Sequence, residues 1–247
     1  MSTSWVVLPG LAEAPEEFAE VVSLLPGNDL HVVDAWRTPI TAPVEELRAG
    51  LALPIGLIGN SIGGLAALRW TLTHPGEIDR LVLVDSSLTS ETGWRWLYPG
   101  TRGDRWVRSV LRTLGRVGVP RVLGTLVWRT FVGVGSIRKS SPMPKATVRA
   151  RFAADDSWLL FWDELTGSWA LAAEVAKLLE SPPEFLPPAV VLVATGGSSR
   201  FTAKSWLAGQ RALAAQLGAT VEVLPDSAHL VHLDRPDAIA KAVAHLA

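Results

Sequence analysis

Short runs of β-branched and aliphatic residues alternate along this chain with segments whose apolar residues recur at helical spacing. This alternation constrains the fold more than any other feature. The runs are continuously apolar, as in Trp5-Val6-Val7-Leu8, so they belong to strands covered on both faces. Such strands lie parallel, and each parallel neighbour requires a crossover, here a helix. The pattern predicts strands at residues 5–8, 30–33, 54–59, 80–84, 189–194 and 220–224, and helices at 15–25, 44–51, 63–73, 203–217 and 236–246. The expected fold class is α/β, a mostly parallel sheet flanked by helices. Between Ser86 and Pro188 the alternation lapses and the periodicity becomes helical. The chain therefore divides into a core of residues 1–87 and 186–247 and an inserted helical cap of residues 88–185.

A chain of 247 residues, 48% of them hydrophobic, can bury a core of this kind. It contains no Cys, which excludes a disulfide framework and Cys-ligated zinc. A net charge of -1 argues against general nucleic-acid binding. No apolar stretch reaches the roughly 18 residues of a membrane span. Met1 to Ser4 leads straight into the first strand without a basic or apolar leader, so a cytoplasmic location is expected.

Gly59-Asn60-Ser61-Ile62-Gly63-Gly64 lies where a predicted strand gives way to a predicted helix, the context a Gly-x-Ser-x-Gly nucleophile turn requires. The turn is too tight for a Cβ at 59 or 63, and the serine at its apex is held in strained geometry with its hydroxyl exposed. A serine hydroxyl needs a base. His229, in Pro225-Asp226-Ser227-Ala228-His229 after the last strand, stands at the sheet edge where Ser61 emerges. His232 in the same segment is its rival. His31 falls within a strand, His74 ends a helix and His245 is near the C-terminus. A tetrahedral intermediate also needs donors for its oxyanion. The Ile62 N–H, at a helix N-terminus, is one. The loop Pro9-Gly10-Leu11 offers the other, with the Leu11 N–H favoured.

These residues resemble the α/β-hydrolase superfamily across both βα blocks, with the insertion in the position of that family's cap domain. The chain begins at what would be the family's third strand. Residues 59–64 resemble the elbow of the meta-cleavage-product hydrolases, which cleave carbon-carbon bonds in vinylogous diketo acids. The tract Thr195-Gly196-Gly197-Ser198-Ser199-Arg200-Phe201 is similar to their acid-bearing loop, and Ala228-His229 with Leu233-Asp234-Arg235-Pro236 matches the superfamily ending in which the His is catalytic. The resemblance implies a serine, acid and histidine triad that needs no metal and no organic cofactor. At the acid position the sequence departs from the family: Ser198 and Ser199 stand where an aspartate is expected, and neither can hold a charge against an imidazolium. Some superfamily members carry the acid one strand earlier, which points to Asp85, and the order Ser61, Asp85, His229 matches theirs. The competing role for Asp85 is to cap the turn at Ser86 and Ser87. Asp34 and Asp226 are outsiders.

The expected function is hydrolysis of an ester or thioester through an acyl-serine intermediate. The alternatives are carbon-carbon bond hydrolysis, a cofactor-free lyase, cyclase or oxygenase on the same fold, and a binding protein whose site has decayed at Ser198 and Ser199. From Thr92 to Arg151 the chain carries eleven Arg and two Lys against Asp104, a local charge of +12 that leaves -13 on the remainder. In this region Trp106, Val107, Val110, Leu111, Leu114 and Val117 share one helical face, and Arg105, Arg108, Arg112 and Arg116 the other. Two readings stand side by side: a solvated basic helix face over an apolar underside, or a cap that receives an acidic partner, either a carboxylate- or phosphate-bearing acyl substrate or an acidic carrier protein delivering a thioester. Basic amphipathic helices with Trp also adsorb to anionic membranes. Most of the region's tryptophans, Trp94, Trp96, Trp106, Trp128, Trp158, Trp162 and Trp169, are expected to pack the cap against the core. One or two are expected to line an acyl or aromatic pocket.

Overall fold

The computed structural model describes residues 4–48 and 50–246. The chain begins with β1 (Ser4–Leu8), a 3-10 turn (Pro15–Phe18) running into α1 (Ala19–Ser23), β2 (Asp29–Val32), α2 (Val44–Leu47), β3 (Ile55–Asn60), α3 (Ile62–Thr73) and β4 (Ile78–Val84). Helices α4 (Arg102–Arg116), α5 (Val119–Gly135), α6 (Lys145–Phe152) and α7 (Ser157–Glu180) follow without an intervening strand. The sheet then resumes with β5 (Ala189–Ala194), α8 (Ala203–Leu217), β6 (Thr220–Leu224), α9 (Val231–Asp234) and α10 (Pro236–Leu246).

Among the described residues six strands pair in parallel, in the order β2-β1-β3-β4-β5-β6. Successive residues of each strand feed opposite faces. Val6, Leu57, Leu83 and Val191 pack with Leu65 and Leu68 of α3, Leu171 of α7 and Leu213 of α8. Trp5, Val7, Ile58 and Val82 pack with Phe18, Val21 of α1 and Ile239 of α10. Burial on both faces is why the runs of the inner strands β1, β3 and β5 are continuously apolar, whereas the edge strands β2 and β6 carry exposed polar residues, and each fully buried large aliphatic side chain contributes about 1.5–3 kcal/mol.

The expected elements at 189–194, 203–217, 220–224 and 236–246 keep their bounds. The expected helix at 15–25 instead opens as a 3-10 turn at Pro15, whose entry is held by the Ala14 N–H donating to the Glu17 carboxyl at 3.2 Å. The strand expected from residue 80 starts at Ile78, which pairs with Ile55 of β3. The short helix expected at 44–51 closes after Leu47.

β1 lies between β2 and β3, so the chain leaves it toward one side and returns on the other. The connections after β1 and β3 therefore run to opposite sides of the sheet, a topological switch point, and parallel α/β sheets bind ligands at the carboxyl ends of the strands at such a point. The segment from α5 to α6 is tied to the loop after β6 at this edge of the sheet. The Gly135 carbonyl accepts from the Leu230 N–H at 2.7 Å. Buried Asp234 receives the Ser136 hydroxyl at 2.6 Å and the Ile137 and Arg138 N–H groups at 2.9 and 3.0 Å. α7 straddles both regions: Phe161 packs near Trp36 and Phe152, while Leu171, Ala172 and Val175 enter the sheet core beside α3.

The tryptophans divide. Trp94, Trp96 and Trp106 are 66%, 59% and 66% exposed and depart from the expected packing, whereas Trp128 packs against Leu230 and Leu233 of the core as expected. Trp162 and Trp169 contact each other edge-on, and the Trp162 indole N–H donates to buried Asp104 at 2.8 Å. Helical spacing reveals an apolar face but not whether another element covers it. Among the described residues no helix is long and apolar enough to cross a membrane.

Candidate active site

Ser61 sits between β3 and α3 with φ 52° and ψ -123°, a left-handed conformation that costs a non-glycine residue about 1–3 kcal/mol. The surroundings fix it there. Its N–H donates to the Val84 carbonyl at 3.1 Å, and its own carbonyl accepts from the Gly64 and Ser87 N–H groups at 3.0 and 2.9 Å. The neighbouring glycines permit the turn: a Cβ on Gly59 would lie 2.7 Å from the Gly63 carbonyl oxygen, and one on Gly63 would overlap the Leu8 carbonyl oxygen.

His229, in the loop between β6 and α9, is half-buried, and its Nε2 lies 2.9 Å from the Ser61 hydroxyl oxygen. Its Nδ1 lies 2.6 Å from Asp85 Oδ2. A carboxylate only accepts, so Nδ1 carries the ring proton and Nε2 is left to accept from the Ser61 hydroxyl. Asp85, just past β4 with φ 41°, is buried. Its other oxygen, Oδ1, accepts from the Ala194 N–H at 2.9 Å and the Trp206 indole N–H at 2.7 Å. The carboxylate thus spans from the end of β5 to α8 and faces His229. It does not cap its own turn, where the Ser86 hydroxyl donates to the Ser87 carbonyl instead.

Burial of the His229 ring opposes its charge, but the hydrogen bond and charge of Asp85, with smaller contributions from Glu13 and Glu91, outweigh it and hold the pKa above the ordinary value. About a third of the side chain remains accessible, which weakens the opposing effect and leaves the direction unchanged.

The remaining candidates lie elsewhere. His232 is buried, stacked on Phe18 with centroids 4.4 Å apart, and burial followed by the nearby His229 pushes it down to about 3. His31 lies in β2, His74 meets the Thr73 hydroxyl at 2.8 Å and His245 lies in α10. Asp34 pairs with Arg151 at 2.6 Å and Asp226 with Arg235 at 2.6 Å. The Ser198 hydroxyl donates to the Val134 carbonyl at 2.6 Å and the Ser199 N–H to the Gly196 carbonyl at 3.0 Å, so the two serines shape the wall beside His229 and do not bond to it.

On the other side of Ser61 the loop after β1 comes so close that a Cβ on Gly10 would meet Ser61 Cβ at 2.9 Å. The Ile62 N–H opens α3, where a helix supplies no acceptor of its own. Among the described residues the Leu11 N–H also has no protein acceptor.

Glu13 was not foreseen. It is buried, accepts the Gly10 N–H at 2.5 Å with one oxygen and the Asn60 side-chain amide at 2.6 Å with the other, and so ties the loop after β1 to the turn that carries Ser61. Burial drives its pKa up to about 8 against the pull of the Gly10 N–H. Among the described residues no group of three or more His, Asp or Glu is placed to hold a metal ion.

Two apolar cavities flank the site. One, of about 380 Å³, is lined by Leu11, Val107, Leu111, Val127, Trp158 and Trp162. The other, of about 610 Å³, runs beneath Leu126, Val127, Phe131 and Val134 to His229 and Leu230. Val127 lines both.

Comparison with known proteins agrees with this architecture. The mouse (Mus musculus) sn-1-specific diacylglycerol lipase ABHD11 is 28% identical over 225 residues, covering 88% of this chain and 67% of that protein. An alpha/beta hydrolase fold protein from Burkholderia ambifaria superposes with a TM-score of 0.72 at 15% identity, covering 99% of this chain and 91% of that one. The enol-lactonase from Burkholderia xenovorans LB400 superposes at 0.64 and 18%, covering 100% and 91%. The sequence profile of the alpha/beta hydrolase family matches residues 3–242, nearly the whole chain, and the protein belongs to that family.

Proposed function

We propose that the protein is a serine hydrolase that cleaves a carboxylic ester or thioester through an acyl-serine intermediate. The observation that carries this reading is the unbroken chain of hydrogen bonds from the Ser61 hydroxyl through His229 to an Asp85 carboxylate that is itself held by two donors. In the proposed mechanism Ser61 Oγ attacks the acyl carbon as its proton passes to His229 Nε2. Asp85 stabilises the imidazolium without taking the proton. The Leu11 and Ile62 N–H groups bind the carbonyl oxygen as it becomes an oxyanion. Collapse of the intermediate expels an alkoxide or thiolate, which takes the proton back from His229. Water then repeats the attack with His229 as base and frees the acid and Ser61.

Residues 88–185 act in this reading as the cap over the site. The two apolar cavities suit an acyl chain on the Leu11 side and an apolar leaving group on the His229 side. Relatives named as a diacylglycerol lipase and an enol-lactonase support a carboxylic ester as the bond attacked. A fluorophosphonate probe tests the mechanism, because it labels only an activated serine. Wild type should label at Ser61, Ser61→Ala and His229→Ala should not, and Ser199→Asp should label no better than wild type. Labelling that survives Ser61→Ala, or an unlabelled wild type, would overturn the proposal.

A further inference from the structure

We propose that the outer face formed by α4 and α5 docks on an anionic phospholipid bilayer. On α5, Val122, Leu123, Leu126 and Val134 recur at helical spacing and are 77%, 41%, 59% and 59% exposed, with Leu126 and Val134 at the rim of the cavity that reaches His229. The only charges in this helix are Arg121 and Arg129. On α4, Val107 and Leu111 line the cavity beside Leu11, while Trp106 and Val110, with Val117 just past the end of the helix, are 66%, 37% and 69% exposed. The two helices contact each other, and exposed apolar side chains gathered on neighbouring helices mark an interaction site.

The charge around the patch selects the partner. Arg102, Arg105, Arg112 and Arg116 run along α4 beside the outward Trp106 and Val117. Of the thirteen cations between Thr92 and Arg151, Arg108, Arg121, Arg138 and Arg151 are ion-paired, and the other nine make no ion pair among the described residues. A second copy of this chain would bring the same uncompensated positive charge against this one. An anionic bilayer supplies both the counter-charge and an apolar layer for the face, and indole rings such as Trp94, Trp96 and Trp106 favour its interface. Among the described residues no helix is both long and apolar enough to span, so the proposed association is peripheral. Docking of this face would set the bilayer at the mouth of the His229 cavity, whose lining includes Leu126 and Val134. The docking does not depend on which reaction the site performs.

The test is co-sedimentation of the full chain with phosphatidylcholine vesicles, with and without phosphatidylglycerol, at low and high ionic strength. The expected result is binding that requires phosphatidylglycerol, weakens with salt and shifts the Trp emission to the blue. Trp106→Ser/Val122→Ser should lower the partition coefficient by more than about ten-fold. Arg112→Gln/Arg116→Gln should lower it by roughly five-fold per charge removed. Circular dichroism and the thermal midpoint establish that each variant is folded. The proposal is overturned by absence of binding to the anionic vesicles, by folded variants that bind as wild type does, or by a dimer in sedimentation velocity that Trp106→Ser/Val122→Ser dissociates.

Discussion

Replacing Asp85 with asparagine isolates the acid of the proposed triad, because the surroundings dictate how the new side chain must sit. Two donors, the Ala194 N–H and the Trp206 indole N–H, converge on Oδ1. Asparagine has one acceptor oxygen, so that oxygen has to face them and the amide NH2 is directed at His229 Nδ1. An N–H group there forces Nδ1 to become the acceptor and moves the ring proton to Nε2, 2.9 Å from the Ser61 hydroxyl. A protonated Nε2 cannot take the serine proton. The expected loss in kcat is about 10^4-fold, or about 5.5 kcal/mol of barrier, the size found when a triad histidine is held in the wrong tautomer. Stability should hardly change, because both donors keep their acceptor. Asp85→Ala is the contrasting variant: it strands both buried donors, each costing about 1–3 kcal/mol, so it should lose stability as well as activity. Stopped-flow acylation by a p-nitrophenyl ester, alongside urea unfolding of both variants, separates the two effects. An Asp85→Asn enzyme acylating within ten-fold of wild type would refute the assignment of Asp85 as the orienting acid.

The pH profile offers a second test. His229 must be neutral to act as base and its pKa is raised by Asp85, so activity should rise through a midpoint above the ordinary histidine value of about 6.5, and Asp85→Asn should move that midpoint down. Gly63→Ala would drive a Cβ into the Leu8 carbonyl, backbone against backbone with nothing free to rotate, and should destabilise the fold by at least about 1–3 kcal/mol, whereas Gly76→Ala, with no neighbour within 4 Å, should be near neutral. Buried Glu164 is pushed up to about 7, so the folded state keeps a proton that the unfolded chain releases near 4.5. Its contribution to stability is present below that value and is lost as pH rises toward 7. Glu164→Gln should therefore remove up to about 1.4 kcal/mol per pH unit from the slope of stability against pH in that window, measured by denaturant unfolding, and an unchanged slope would count against a protonated Glu164.

Local pattern was sufficient for the parallel sheet and for the Ser61 turn. A strand buried on both faces must be apolar throughout, and a Gly-x-Ser-x-Gly at a strand-to-helix junction leaves the backbone few conformations. His229 was legible because a residue just after the last strand necessarily stands at the same sheet edge as Ser61. The placement of Asp85 was not, since from sequence it served equally as a cap for its own turn. What holds its carboxylate toward His229 are donors 109 and 121 residues away, the Ala194 N–H and the Trp206 indole, which local spacing does not register. Glu13 escaped notice for the same reason, because its partner Asn60 is 47 residues distant. The outward-facing tryptophans show the other side of this. Periodicity records that a helix has an apolar face, a property of consecutive residues, but whether that face meets the core or solvent depends on what packs against it, and only tertiary structure brings the neighbours into place.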